Sequence, residues 1–175
     1  NDQLNGGEGD DVFLVGPGGG TDQIDGGAGF DTVRATGANF TFISSSITSI
    51  EAISSGGFSG VAVAGTNNND ILDFSDLTLS GIDYIAGMNG DDVIHGSAQA
   101  DVIRGGKGID QLTGGGGADV FDFDSVSESK KVTPDLILDF LKGTDRIDLS
   151  DIDANTKVAG DQAFTFIDSQ AFHKV

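Results

Sequence analysis

Residues 87–122 read GMNGDDVIH, GSAQADVIR, GGKGIDQLT and GGGGADVFD, four units of nine residues that follow one another without a gap. Each unit has Gly at its first position, Asp at its sixth and a large apolar residue at its eighth, and three of the four also have Gly at the fourth. A fixed period of this kind indicates a repeat architecture in which every unit builds the same piece of backbone. This stretch therefore decides the fold of the chain.

The positions of the unit have separate physical roles. Glycines at positions one, two and four permit a positive φ and a close approach of neighbouring backbones. Such a turn can direct its carbonyl oxygens inward, and the Asp at position six adds a short carboxylate. Calcium prefers about six to eight hard oxygen ligands, which carbonyls and carboxylates supply. Positions seven to nine then form a short strand with its middle side chain inward, so two units, or eighteen residues, complete one coil.

The same pattern predicts two repeat blocks. Residues 1–34 hold four units, the first of them truncated, and a two-residue insertion separates the second unit from the third. Gly65 restarts the pattern, and the second block extends to residue 124. Asn68 takes the fourth position of its first unit, and Asn is among the few residues besides Gly that tolerate a left-handed backbone.

Two segments lack the pattern. In residues 35–64, Ser and Thr replace the Gly and Asp that would hold metal, while Phe40, Phe42 and Ile53 keep a strand-like spacing. We expect a metal-free strand insert that continues or caps the coil. Part of it, ITSIEAI at 47–53, resembles LSGIDYI at 79–85. In residues 125–175 glycine becomes less frequent and longer apolar patterns appear, so we expect the repeat to end before this segment.

The charge of the chain favours a metal-binding role. The formal net charge is −19, with 28 acidic residues against 9 Lys and Arg, and only three of the acidic residues are Glu. Asp favours turns and short-reach ligation, whereas Glu favours helices. About six to eight calcium ions would cancel most of this charge.

Composition also excludes several classes of function. The acidic charge excludes nucleic-acid binding, which depends on Lys and Arg at phosphates. No apolar run approaches the ~18 residues of a membrane span. Cysteine is absent, so disulfides cannot stabilise the chain outside the cell, and calcium is the stabiliser that fits. The residues supply no set of nucleophile, base and orienting acid, so we expect no catalysis.

The nonapeptide resembles the calcium-binding repeat of RTX proteins, which bacteria export by type I secretion machinery. The resemblance implies an all-β fold, a right-handed parallel β-roll with metal-free strand inserts and a C-terminal β cap. It also implies calcium between turns two units apart, which pairs Asp92 with Asp110 and Asp101 with Asp119.

The resemblance carries the ligand roles over to particular residues. The carboxylate candidates at position six are Asp11, Asp22, Asp31, Asp70, Asp92, Asp101, Asp110 and Asp119. The glycine candidates at positions two and four are Gly7, Gly9, Gly18, Gly20, Gly27, Gly29, Gly90, Gly106, Gly108, Gly115 and Gly117. We expect Asp10 and Asp91 at position five, and Asp25, Asp73 and Asp122 at position nine, to be solvated.

The C-terminal third resembles the end of the β-roll domain of serralysin-type proteases. The matching residues are LILDF at 136–140, DRIDLS at 145–150, QAFTFI at 162–167, and Ala171 with Phe172. In that family the segment closes the open end of the roll and leads toward an uncleaved secretion signal, so the resemblance implies that residues 125–175 are a C-terminal capping segment.

The main hypothesis is a non-catalytic calcium-binding module of a secreted bacterial exoprotein that folds on calcium outside the cell. The chain starts within a unit, so the hypothesis treats it as part of a longer protein. One alternative is a polysaccharide-binding module similar to the R-modules of alginate epimerases, in which Arg34, Arg104 and Lys107 would contact a polyanion. We expect these three residues to pair locally with Asp instead. The other alternative is a repeat of a surface adhesin.

Overall fold

A computed structural model describes residues 1–18, 21–129 and 134–152. These residues form short strands joined by turns, with one single-turn 3-10 helix at Ser44–Ser46. The strands are β1 Gln3–Glu8, β2 Val12–Val15, β3 Gln23–Ala28, β4 Thr32–Ala35, β5 Phe40–Ile43, β6 Ile47–Thr48, β7 Ala52–Ser54, β8 Val61–Ala64, β9 Ile71–Asp73, β10 Thr78–Ser80, β11 Ile85–Asn89, β12 Val93–His95, β13 Val102–Lys107, β14 Gln111–Thr113, β15 Val120–Asp122, β16 Leu136–Ile137 and β17 Arg146–Asp148. Across the described ranges, no helix has the length and apolarity to cross a membrane.

The strands form four sheets in which every described pairing between strands is parallel. Sheet 1 has the order β1-β3-β6, and sheet 2 the order β2-β4-β7-β10. Sheet 3 has the order β5-β8-β11-β13-β15-β17, and sheet 4 the order β9-β12-β14-β16. A chain that returns to the same sheet once per coil, always in the same direction, is a solenoid. The expected all-β, parallel β-roll architecture is therefore confirmed.

The length of one coil follows the repeats. In the second block Ile94 lies opposite Leu112, and Asp92 is bonded to a residue eighteen positions later, as two nonapeptides require. In the first block the coil is twenty residues long because of the two-residue insertion, and Phe13 lies opposite Val33.

The middle of the solenoid has three strands per coil instead of two. The chain passes through sheets 1, 2 and 3 as β3-β4-β5 and again as β6-β7-β8, and then through sheets 4, 2 and 3 as β9-β10-β11. Afterwards it alternates between sheets 4 and 3. The insert at 35–64 thus continues the coil, as one of the two expected outcomes, but it adds a third side.

The core is a column of the eighth-position side chains and their counterparts in the insert. The buried members are Ile24, Val33, Phe42, Ile53, Val63, Leu72, Leu79, Ile85, Ile94, Ile103, Leu112 and Phe121. Phe13, in the first described coil, is only partly buried because it packs at the end of the column. Full burial of one such side chain contributes about 1.5–3 kcal/mol relative to exposure.

The two similar heptapeptides form the same type of turn at different places in the solenoid. Residues 47–53 join sheet 1 to sheet 2, whereas residues 79–85 join sheet 2 to sheet 3. The third residue of each is left-handed, with φ of 52° at Ser49 and 66° at Gly81. The acidic fifth residue of each, Glu51 and Asp83, accepts a backbone N–H from the preceding coil at 2.7 Å. The similarity therefore marks a common type of turn.

Candidate metal centre

The sixth-position Asp residues form a ladder that links successive coils. In each step, Oδ1 of one Asp accepts the backbone N–H of its counterpart one coil earlier. The steps are Asp2 to Asp22 at 2.8 Å, Asp11 to Asp31 at 2.8 Å, Asp70 to Asp92 at 2.8 Å, Asp92 to Asp110 at 2.9 Å, and Asp101 to Asp119 at 2.9 Å. The structure thus brings together the pairs that the resemblance implied. A hydrogen bond from an amide to a carboxylate of this kind contributes about 1.5–3 kcal/mol.

The steps form four rows, and residues outside the nonapeptides extend three of these rows by one step. Glu51 accepts the N–H of Asp31 at 2.7 Å, Asp135 that of Asp110 at 3.0 Å, and Asp145 that of Asp119 at 3.1 Å. The glycine pattern did not single out these three residues. A weaker signal was present, because each stands two positions before an apolar residue that lies opposite a buried core residue of the neighbouring strand.

The second oxygen of several ladder residues has no partner. Among the described residues, buried side-chain oxygens without a hydrogen bond are Oδ2 of Asp11, Asp31, Asp92, Asp110 and Asp135. An uncompensated buried carboxylate oxygen costs several kcal/mol, in order of magnitude, unless a cation or donor compensates it. All five immediately precede a strand, at the edge of the sheets where a cation bound between coils would stand.

The glycines of the complete units leave space beside these oxygens. A Cβ added at Gly105 would lie 2.5 Å from Oδ2 of Asp110, and one at Gly6 would lie 2.5 Å from both Oδ2 of Asp11 and the carbonyl oxygen of Gly26. The first glycine therefore borders a corner that holds a carboxylate oxygen and a carbonyl from the next coil.

Glycines two and four supply the left-handed backbone of the turn. At position two, φ is 95° at Gly7, 91° at Gly18, 100° at Gly27, 97° at Gly106 and 92° at Gly115. At position four, it is 106° at Gly9, 142° at Gly29, 129° at Gly90, 153° at Gly108 and 114° at Gly117. Gly20 lies outside the described residues. Met88, at position two, adopts φ of 85° without being glycine.

The donor chemistry of these corners fits calcium. In the part of the chain that the structure describes, no three His, Cys, Asp or Glu side chains group as a metal site. Carboxylate and backbone carbonyl oxygens lie at these corners, and an oxygen-only set of this kind favours calcium over zinc or copper.

Burial of the ladder carboxylates raises their pKa values. Burial raises the pKa of Asp92 to about 6 and that of Asp135 to about 6, and neighbouring carboxylates add to both shifts. Burial is also the main cause of the raised pKa of Asp110 and of Asp119. Without a cation, the folded chain thus binds protons at these corners more tightly than ordinary Asp does.

Two turns of the ladder differ from the others, and they carry the expected ligands Asp70 and Asp101. Oδ2 of Asp70 accepts the N–H and hydroxyl of Thr66, and Oδ2 of Asp101 accepts those of Ser97. The expectation of a left-handed backbone at Asn68 is wrong, since its φ is not positive. Its N–H instead bonds the Thr66 hydroxyl at 3.2 Å, which holds the turn in another conformation.

Two of the residues expected to be solvated also link coils. Asp10 and Asp91 are exposed, yet Oδ1 of each accepts a backbone N–H of the next coil, from Phe30 at 2.8 Å and from Ile109 at 2.9 Å. Position five therefore forms a second, outer row of hydrogen bonds.

Asp122 was expected to be solvated, and this prediction was wrong. Arg104 was expected to pair with a nearby Asp, and this prediction is confirmed. Asp122 pairs with Arg104 at 2.7 Å because both point along the same face of sheet 3. Arg104 also contacts Asp124 at 3.3 Å and lies 4.5 Å from the ring centre of Tyr84. The positive charge of Arg104 is thus neutralised by carboxylates of the solenoid itself.

Comparison with known families agrees with this geometry. A family model described as Peptidase M10 serralysin C terminal matches residues 12–174, and one described as RTX calcium-binding nonapeptide repeat (4 copies) matches residues 1–19. No curated protein matches the chain. The first match covers most of the sequence, including the capping segment, and the second covers the start of the first block. The chain therefore belongs to the family of the M10 peptidase serralysin C-terminal domain, a non-catalytic part of those proteases, and carries RTX calcium-binding repeats.

Proposed function

We propose that this chain is a calcium-folded module of a secreted exoprotein, exported by type I machinery, and that its repeat turns bind calcium between coils. The observation that carries the proposal is the set of buried Oδ2 atoms without a partner at these turns. In the repeat turns at Asp11, Asp31, Asp92 and Asp110, the carboxylate and the carbonyls of positions two and four are the ligands. The proposed sites in the two blocks centre on Asp11 and Asp31, and on Asp92 and Asp110.

The chain's own residues make folding depend on the ion. The ladder stacks carboxylates one above another, and the net charge of −19 opposes compaction. The glycines of each turn lose much conformational entropy on ordering, and a column one side chain wide recovers only part of it. Bound calcium supplies the missing positive charge between coils, and its binding free energy becomes folding free energy.

This dependence suits secretion. Extracellular modules bind calcium at about 10⁻⁴ to 10⁻³ M. The chain therefore stays loose in calcium-poor cytosol, where an export channel needs an unfolded substrate, and it folds outside. Folding at the exit discourages return.

A calcium titration tests the proposal. The strand signal in circular dichroism is expected to be low in EDTA and to rise cooperatively with calcium. D110N is expected to weaken this response, whereas D76N, which removes the same charge from an exposed residue, leaves it unchanged. A strand signal that is already maximal in EDTA contradicts the proposal.

The polysaccharide alternative loses one of its three basic residues, since Arg104 is held by Asp122 and Asp124. The adhesin alternative stays a hypothesis, and the sequence that flanks this chain in the whole protein would test it.

A further inference from the structure

Two repeat turns place a hydroxyl where the complete units have glycine. Thr66 and Ser97 stand at position two of the turns that end at Asp70 and Asp101. Oδ2 of Asp101 accepts the Ser97 N–H at 2.7 Å and the Ser97 hydroxyl at 2.8 Å. Oδ2 of Asp70 accepts the same two donors from Thr66 at 2.6 Å and 2.9 Å.

The backbone of these turns also differs from that of the glycine turns. The residue at position four donates its N–H to the same hydroxyl, from Asn68 at 3.2 Å and from Gln99 at 3.1 Å. Hydroxyl bonds of this local kind define a turn of their own. Positions two and four of both turns lack the positive φ of the glycine turns, so their peptide groups are oriented differently.

The two arrangements leave the carboxylate in opposite states. Oδ2 of Asp92 and of Asp110 is buried without a partner, whereas Oδ2 of Asp70 and of Asp101 has two short hydrogen bonds. Two donors fill the lone pairs of a carboxylate oxygen. The same exchange of glycine for hydroxyl has the same result at two separate turns.

We infer that the turns at Asp70 and Asp101 bind no calcium, because the position-two hydroxyl and N–H take the place of the cation. This inference rests on the proposed function, and it removes Asp70 and Asp101 from the expected ligands. The second block then combines metal-dependent turns with turns that close on their own hydrogen bonds. The ladder continues through both, since Oδ1 keeps the same role in each.

Counting bound calcium on the full chain by equilibrium dialysis tests the inference. S97G/Q99G turns GSAQAD into GGAGAD, a complete unit, and is expected to gain about one ion per chain. T66G/N68G is expected to gain one ion at Asp70. S97A/Q99A loses the hydroxyl without gaining glycine, and serves as the matched control with no gain.

Substitution of the carboxylates gives a second arm. D92N is expected to lower the number of ions bound, whereas D101N leaves it unchanged. The glycine variants keep every carboxylate, so they decide the question whether or not D101N folds. A wild-type chain that binds calcium but loses an ion in D101N, or glycine variants that fold and gain none, overturn the inference alone. A wild-type chain that binds no calcium overturns the proposed function as well.

Discussion

At the scale of single residues, the nonapeptide divides its work between backbone and carboxylate. The glycines set the left-handed turn, and the Asp links two coils with Oδ1 while it presents Oδ2 to the corner. At the proposed calcium sites, the Asp therefore has two tasks. The hydrogen bond of Oδ1 involves no metal, whereas the buried charge of Oδ2 requires a cation to compensate it.

Met88 offers a test of the backbone task. It stands at position two with φ of 85°, and about half of its side chain is exposed. An L-residue in this region costs about 1–2 kcal/mol. M88G is therefore expected to stabilise the calcium-loaded chain by about 1 kcal/mol in chemical denaturation. M88A keeps the left-handed strain and should show no such gain; destabilisation by M88G would contradict the assignment.

Glu51 offers a test of the ladder task. It ends the first-block ladder by accepting the N–H of Asp31, which is itself fully buried. E51A leaves that N–H without an acceptor, and loss of a charged partner costs about 1–3 kcal/mol. E51A is therefore expected to lower the free energy of unfolding in calcium. E51D is expected to lower it less, because its shorter side chain keeps the carboxylate but reaches the N–H less well. E8A alters an exposed Glu and serves as the control; equal effects of E51A and E8A would exclude a ladder role.

At the scale of strands, the repeat predicted more than its surroundings did. The eighteen-residue coil and the inward eighth residue follow from one period of nine, whereas the Asp92–Asp110 pairing was implied by the resemblance to the RTX repeat. The third side of the middle coils did not follow, because apolar spacing alone does not say how far the chain bends. The hydroxyl turns also escaped prediction, since Gly-x-x-x-x-Asp has the same spacing whether Oδ2 faces a cation or Ser97.

The column of inward side chains makes an element-scale prediction. Ile103 of β13 is fully buried between its neighbours in sheet 3, whereas Ile71 of β9 is 80% exposed. I103A is expected to cost about 2–5 kcal/mol, because the rigid sheet closes the cavity only in part. I71A, the same change on the outer face, should cost less than about 0.5 kcal/mol. Similar losses in the two variants, measured in saturating calcium, would mean that the column does not hold the coils together.

At the scale of the whole molecule, charge and calcium act against each other through pH. The pKa of Asp92 and of Asp135 is about 6 in the metal-free fold, above the ordinary 3.8 of Asp. Folding without metal therefore takes up protons at these two carboxylates. The stabilisation that this proton uptake gives is fully present below pH 3.8, the ordinary pKa of Asp, and is lost as the pH rises through about 6. Protons also compete with calcium for the same oxygens.

In EDTA, the strand signal in circular dichroism, low at pH 7.5, is therefore expected to rise as the pH falls to 5, while the gain in signal on adding calcium shrinks over the same range. D92N/D135N removes both raised groups and should flatten the rise in EDTA, whereas D76N should not, because Asp76 is exposed. A metal-free chain whose strand signal stays level or falls toward pH 5 would show that these buried carboxylates are not what opposes folding. The need for calcium would then have to lie in the entropy of the glycine turns alone.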